Sequence, residues 1–347
     1  MSRSPTVRRL ALAVVAGLAS VAVAACGSSS SSSGTGSVSI SASNAANTSN
    51  KNLNFYEVNN GCASDPFWAA VDNGGNAAAS TFGVTVHIVH PLDCESQAEE
   101  NSLLTTVVNS HPAGIAISET SATAFASNIQ RARQMGIPVI AYNSMPPNNN
   151  TTQDPVQAFV GTGLYDSGVL WAREAISKFG LSSGDSVPID DVCVTNIACE
   201  TIVNGWNSVM KPAGVSSPII NIPQATAQAI STVHAYIVQH PGIKAIVSTG
   251  GDGSAEVAAL QQAGKKPGQI GLAAFNLNGK MPQYMSQGWL SFAVDQLPFL
   301  QGFDSIADLY SAAKYKQLPA NIETGPAVVT ASDAPLLTPS MVAQTGY

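Results

Sequence analysis

From residue 53 onward, short apolar runs alternate with longer amphipathic stretches. The short β-rich runs at 53–58, 84–89, 114–117, 137–142 and 159–160 predict strands. So do those at 192–195, 219–222, 245–248, 272–275 and 290–294 in the second half. Between them, helical spacing of apolar residues predicts helices over 66–82, 96–110, 122–135, 166–179, 200–211, 225–239, 253–263 and 281–287. Gly83, Gly136 and Gly180 stop three of these, and Ser96 followed by Glu99 forms a capping box. Apolar strands between amphipathic helices imply parallel sheets covered on both faces. The scheme runs twice, so the expected fold is α/β with two doubly wound, Rossmann-like lobes.

The stretch 289–310 ties the scheme together. Its apolar run 290–294 turns polar at Asp295 and Gln296, and Pro298 ends the strand because it lacks an N–H. Phe299, Leu300, Phe303, Ile306, Ala307 and Tyr310 then recur at helical spacing. Bare polar groups at a strand's carboxyl end lie where open α/β sheets bind ligands. The same residues also fit a buried strand end whose amide caps the next helix.

The N-terminus carries an address. Arg3, Arg8 and Arg9 precede an apolar run over 10–25, closed by Val23-Ala24-Ala25-Cys26. Residues 1–25 thus read as a secretory signal, whose apolar run of 16 residues is shorter than the ~20 a spanning helix needs. The ending resembles a bacterial lipobox, with Cys26 as the lipid-modified first residue of the mature chain. Acyl chains there would tether the protein to the outer face of the bacterial cytoplasmic membrane without a spanning helix. Residues 26–51, rich in Ser, Gly, Thr, Asn and Ala, cannot bury enough surface to order themselves and read as a flexible linker.

Removing Arg3, Arg8 and Arg9 from the 15 basic residues leaves 12 against 22 acidic ones, a net of −10. That balance argues against nucleic acid and anionic membrane surfaces as partners. Four cysteines remain after Cys26, an even number in an oxidising compartment. Pairing within each half, Cys62 with Cys94 and Cys193 with Cys199, is the expectation. No C-x-x-C spacing points to zinc, and His87 and His90 lie three apart on a strand and so face opposite sides, which leaves no metal site expected.

The residues just beyond each strand give the candidate site. After the first come Asn59, Asn60 and the run Asp65-Pro66-Phe67-Trp68; after the third, Ser118-Glu119-Thr120; after the fourth, Asn143-Ser144. Next are Gly161-Thr162-Gly163, the segment from Asn196 to Glu200, Gly250-Gly251-Asp252, Asn276 and Asp295-Gln296. Amides, hydroxyls and carboxylates with an aromatic pair suit a carbohydrate, with polar groups for its hydroxyls and rings for its C–H faces. Polar loop ends are common in any protein, so each position alone says little.

In order and spacing, these positions resemble the periplasmic sugar-binding proteins of the ribose/galactose type. Asp65-Pro66-Phe67-Trp68 looks like the family's N-P-F-F/W loop, with Asp65 for Asn. Pro138 to Asn143 resembles its fourth-strand motif, with Asn143 at the family's Asp. Thr162 stands at a position usually Ser, Asp252 keeps the acid of an N-D pair, Asn276 falls at an Asp position, and Gln296 matches outright. The resemblance implies the type I periplasmic binding protein fold, with three crossover strands near Thr162, Gln296 and Glu323. It divides the body into an N-terminal lobe of 52–162 plus 297–322 and a C-terminal lobe of 163–296 plus 323–347. It also implies ligand contacts at Asp65, Phe67, Trp68, Ser118, Asn143, Thr162, Glu200, Asp252, Asn276 and Gln296.

The departures matter too. Ribose-type receptors clamp the sugar with arginines at positions that fall near Ser144 and Glu200 here, and no arginine follows Arg173. With Asp65, Glu200, Asp252 and Asp295 nearby, an anionic ligand is disfavoured, because unpaired buried negative charge is costly. The expectation is a monomeric, non-enzymatic receptor without cofactor that captures a neutral polyhydroxylated ligand and delivers it to the membrane subunits of an ABC importer. A sensor that presents its closed form to a chemoreceptor or histidine kinase, or a receptor for a nucleoside or amine-bearing solute, fits the same residues. Glycine patterns fit neither a dinucleotide site nor a P-loop, and no G-x-S-x-G elbow is present.

Overall fold

A computed structural model describes Asn50 and residues 52–121, 123–146, 156–194, 197–222 and 226–337. The expected signal, Cys26, most of the linker, Asn196 and the last ten residues lie outside the described residues. The first strands and helices are β1 (Asn54–Val58), α1 (Pro66–Phe82), β2 (Thr85–Val89), α2 (Gln97–Asn109), β3 (Gly114–Ile117), α3 (Ala126–Gln134), β4 (Val139–Tyr142) and β5 (Phe159–Gly161). Then come α4 (Leu164–Phe179), β6 (Ile189–Asp191), α5 (Ile197–Met210), β7 (Ile219–Asn221), α6 (Thr226–Gln239), β8 (Ala245–Ser248), α7 (Ser254–Gln262), β9 (Gly271–Phe275), α8 (Met281–Ser286) and β10 (Phe292–Asp295). The last are α9 (Pro298–Tyr315), β11 (Ile322–Glu323) and β12 (Ala327–Thr330).

These strands make two six-stranded sheets, ordered β11-β5-β4-β3-β1-β2 and β12-β10-β9-β8-β6-β7. All pairings are parallel except β12 on β10, an antiparallel edge that the apolar runs did not announce. The chain passes between sheets after β5, after β10 and at 324–326, because Glu323 still pairs with Gly161 while Ala327 pairs with Asp295. The third passage thus falls just beyond the expected lobe boundary at 322. Two helices change sides at these passages. Trp171 of α4 packs in the core of the second sheet, whereas Ile306 and Leu309 of α9 pack on the first.

Each sheet is crossed by one tightly apposed helix pair. A Cβ on Gly74 of α1 would run into the Phe299 carbonyl oxygen of α9, and one on Gly168 of α4 into the Ile202 carbonyl oxygen of α5. Small residues at the crossings let the backbones approach. They also change which face of α9 is buried. The buried stripe is Pro298, Gln301, Gly302, Ser305, Ile306 and Leu309, while Leu300 is 38% exposed. The expected stripe through Leu300 and Phe303 is therefore turned around the axis, because glycine and serine permit closer packing than the larger apolar residues.

Helix ends follow local chemistry. The Asp65 carboxylate accepts from the Phe67 N–H at 2.9 Å, Pro66 opens α1, and Gly83 closes it at φ 66°. The expected capping box at α2 is half formed: Ser96 accepts from the Glu99 N–H at 3.4 Å. The Glu99 carboxylate turns instead to the Leu92 and Asp93 N–H groups at 2.7 and 3.0 Å. Helix α3 begins four residues later than expected, at Ala126. The strand expected at 192–195 is replaced by β6, three residues earlier. Asp190 and Asp191 are buried in that strand, and two adjacent carboxylates hide a β-run from any apolar pattern.

Both expected disulfides are present, Cys62–Cys94 with Cα atoms 5.0 Å apart and Cys193–Cys199 with 6.0 Å. They close loops of 32 and 6 residues. Chain entropy makes the longer loop worth ~3.7 kcal/mol and the shorter ~2.2 kcal/mol. Replacing Cys62 and Cys94 by serine is therefore expected to lower the unfolding free energy in urea by more than the Cys193/Cys199 pair does. The reverse order would reject the loop-entropy account.

Buried acids set a second expectation. The Glu100 carboxyl is fully buried without a hydrogen-bond partner among the described residues, and burial pushes its pKa up to about 9 from 4.5. The folded protein then holds a proton that the unfolded chain releases, so this group's contribution is complete below pH 4.5 and declines as pH rises toward 9. Urea titrations across that window are expected to show stability falling with pH, and Glu100→Gln to flatten the fall. Parallel curves for both proteins would remove Glu100 as its source.

Candidate functional site

The carboxyl ends of β4, β5, β9 and β10 meet where the chain passes between the sheets. The Gln296 carbonyl oxygen lies at the centre. It accepts from the Thr162 hydroxyl at 3.1 Å, the Thr324 hydroxyl at 3.0 Å and the Gln301 amide at 3.1 Å. The two threonine hydroxyls are 3.2 Å apart. The passage after β10 thus supplies one acceptor that is shared by a donor from each of the other two passages and one from α9. Glu323 adds a fourth tie, accepting from the Gly163 N–H at the start of α4 at 2.7 Å.

From this point an amide relay runs to both sheets. The Asn143 side-chain amide at the end of β4 donates to Gln301 Oε1 at 3.0 Å. On the other side, Gln296 Nε2 donates to Asn276 Oδ1 at 2.9 Å, beyond β9. Asn143 and Asn276 both have positive φ, 59° and 69°, a conformation Asn tolerates better than most residues and one in which each side chain leaves its strand sharply. Gln296 Oε1 is buried with no hydrogen-bond partner among the described residues. Asp295 does not share that role. Its carboxylate accepts from the Leu277 and Leu297 N–H groups, each at 3.2 Å, and holds the strand end.

The first sheet adds an aromatic and amide rim. Asn60 Oδ1 accepts from the buried Ser118 hydroxyl at 2.9 Å. Beside it, Asn59 and His90 both bond the Asp72 carboxylate, at 3.0 Å each, and His90 donates to the Gly61 carbonyl oxygen at 2.8 Å. Burial pulls the His90 pKa down, but the bonds to Asp72 and Gly61 outweigh it and leave the ring above its ordinary value. Trp68 is 6% exposed, lies over Gly61 and meets Phe67 and Tyr142 edge-on at 5.4 and 6.2 Å. Trp68 is thus a core residue, and half-buried Phe67 is the partner left at the rim. Asp65 is occupied as the cap of α1, and Asp252, just before α7, accepts from the Ser254 N–H at 3.0 Å and the Ser254 hydroxyl. Glu200 is exposed on α5.

A cavity of about 360 Å³ opens beside the relay. Asn143 and Thr162 form its inner wall, and Glu119, Ser144, Met145, Ile197 and Thr201 complete it from both sheets. Of the expected contacts only Asn143 and Thr162 line it; Asp65, Phe67, Trp68, Ser118, Glu200, Asp252, Asn276 and Gln296 do not. Gln301, Thr324 and Thr201 were not foreseen. A glutamine and a serine one turn apart, Gln301 and Ser305, in line with apolar Pro298, Ile306 and Leu309, were the available signal for the first. His90 is bonded to Asp72, and the two sulfurs near Asp191 belong to the Cys193–Cys199 bridge.

Residues 57–317 match the family model described as periplasmic binding protein domain. The chain belongs to the periplasmic binding protein family. This family member is 28% identical over 263 residues to the xylose/arabinose-binding protein of Sulfolobus acidocaldarius, a match covering 70% of this chain and 65% of that protein. Its fold is shared by an Actinobacillus succinogenes solute-binding protein with bound D-allose, at TM-score 0.73, 17% identity, 82% of this chain and 99% of the other. An Acidothermus cellulolyticus carbohydrate transporter in complex with myo-inositol aligns at TM-score 0.71, 21% identity, 85% of this chain and 99% of the other.

The two threonines at the shared carbonyl are expected to couple. Each Thr→Val change at 162 or 324 removes one bond to Gln296 and the contact between the hydroxyls, at about 1 kcal/mol per bond. The double variant loses that contact only once, so its urea-measured destabilisation is expected to be smaller than the sum of the singles. Strict additivity would show that the hydroxyls do not act as a unit.

Proposed function

We propose that this protein is an exported lipoprotein that captures a small, neutral, polyhydroxylated solute, a sugar, between its two sheets and delivers it to an ABC importer. The relay Asn143–Gln301–Gln296–Asn276 carries the reading, because it lines up amides from both sheets with an unfilled buried acceptor at Gln296. Amides supply donors and acceptors without net charge, which suits sugar hydroxyls and gives no anchor to an anion. No lysine, arginine or histidine is among the described residues lining the adjoining cavity. The D-allose and myo-inositol bound by proteins of the same fold support this solute class. In this reading Phe67, Ser118, Asn143, Thr162, Asn276 and Gln296 contact the ligand, Asp65 acts through the helix it caps, and Asp252 through the Ser254 N–H it holds at the start of α7.

The two sheets then act as lobes that close about Thr162, Gln296 and Thr324, since a ligand bonded to both Asn143 and Asn276 favours the closed arrangement. Cys26 anchors the chain, and the importer's membrane subunits receive the closed form.

A thermal-shift panel of sugars, polyols, nucleosides, amino acids and sugar phosphates tests the reading on the purified protein. Ligand at 100 times its Kd is expected to add ~2.7 kcal/mol to stability. The expected result is a rise with a neutral sugar, reduced at least about tenfold in affinity by Gln296→Ala, which removes an amide from the relay. Phe67→Ala is expected to weaken the same sugar. A rise only with a sugar phosphate or an amino acid would overturn the solute class.

A further inference from the structure

Resting on the sugar-receptor reading, we propose that Gln301 fixes the hydrogen-bond polarity of the cleft wall formed by Asn143 and Ser144. Ser144 then accepts, and the captured solute must donate a hydroxyl to it. Gln301 itself is fully buried and does not line the cavity, so it acts as a positioning residue.

The two ends of a side-chain amide are alike in shape and opposite in hydrogen bonding, so the neighbours decide which end faces where. The Gln296 main-chain oxygen can only accept, so the Gln301 atom 3.1 Å from it must be Nε2. Gln301 Oε1 therefore faces Asn143, and it too can only accept. This draws Asn143 Nδ2 toward it, at 3.0 Å, and leaves Asn143 Oδ1 beside Ser144. Because Oδ1 has no hydrogen, the Ser144 hydroxyl 3.1 Å away must donate to it. Lone pairs are what Ser144 Oγ has left. Three hydrogen bonds thus point one way, back to the joint carbonyl, and the chain ends in an acceptor.

Asn143 and Ser144 both line the cavity, so that acceptor is offered there. Without Gln301 the Asn143 amide could turn, Nδ2 would donate to Ser144 Oγ, and the hydroxyl would donate into the cavity instead. The choice between a donor and an acceptor on the solute is therefore made from α9, through a side chain that the solute does not reach. Ser144 is 8% exposed, and two acceptors facing each other in so buried a place are costly.

Calorimetry with the common neutral aldopentoses, aldohexoses and myo-inositol, each beside its singly fluorinated deoxy analogues, reads this polarity. Fluorine in place of a hydroxyl can accept but not donate. In wild type at least one position is expected to lose about tenfold or more in affinity on fluorination. Gln301→Met keeps the length and removes both bonds, so the loss at that position is expected to shrink to within about twofold. Gln301→Glu still presents an acceptor to Asn143 and is expected to keep the loss, whatever its overall affinity. A Gln301 that only supports the fold would weaken sugars and fluorinated analogues alike. Ser144→Ala, which removes the last acceptor, is expected to abolish the loss as well, and unliganded melting reports which variants fold. Tolerance of fluorine at every position in wild type, or a loss equal in the Met and Glu variants or undiminished in Ser144→Ala, would overturn the polarity and leave the receptor reading intact. A wild type that binds none of these sugars would overturn both.

Discussion

One carbonyl oxygen carries the architecture. The Gln296 backbone oxygen, buried between the sheets, gathers hydroxyls from Thr162 and Thr324 and an amide from Gln301. A buried carbonyl left without partners costs about 1–3 kcal/mol. Three donors converging on it keep the passages between sheets in register. The same residue turns its side chain outward along the relay, so the joint between the sheets and the candidate ligand contact are parts of one amino acid. Geometry at the site is therefore inherited from the joint.

Around that joint the structure separates stiff from adjustable parts. Glycine-mediated crossings at Gly74 and Gly168 press α1 on α9 and α4 on α5 without intervening side chains, and close-packed interiors resist small displacements. Between the two bodies, among the described residues, run three chain passages tied by hydrogen bonds at strand ends. The Cys62–Cys94 bridge and the double grip of Glu99 on the Leu92 and Asp93 amides hold the rim loop in the same spirit.

Much of the fold is legible in the residue pattern alone. Periodicity locates the helices because glycine and proline punctuate them, and Pro66, Gly83 and Pro298 act where their chemistry requires. The departures have physical causes. β6 is displaced from its expected place because buried Asp190 and Asp191 carry no apolar signal. α9 turns a different face inward because small residues beat large ones at a close helix crossing. Trp68 looks like a ligand platform, but a tryptophan over a glycine is also how a core is capped, and periodicity does not distinguish them. Asn143, Thr162, Asn276 and Gln296 are placed by their position after strands, whereas Gln301 and Thr324 depend on tertiary approach that spacing does not encode.

The exchange of α4 and α9 between sheets constrains the order in which the molecule can be built. The core of the first sheet needs Ile306 and Leu309, although its strand β1 starts at Asn54. A growing chain that has completed β1 through β5 still lacks the helix that seals the face of α1. The first body must wait for β6 through β10 to be made before its own interior closes. The N-terminal half is born first yet sealed only near the end, and a chain cut after β10 would own nearly all the first sheet's strands without a lid for its core.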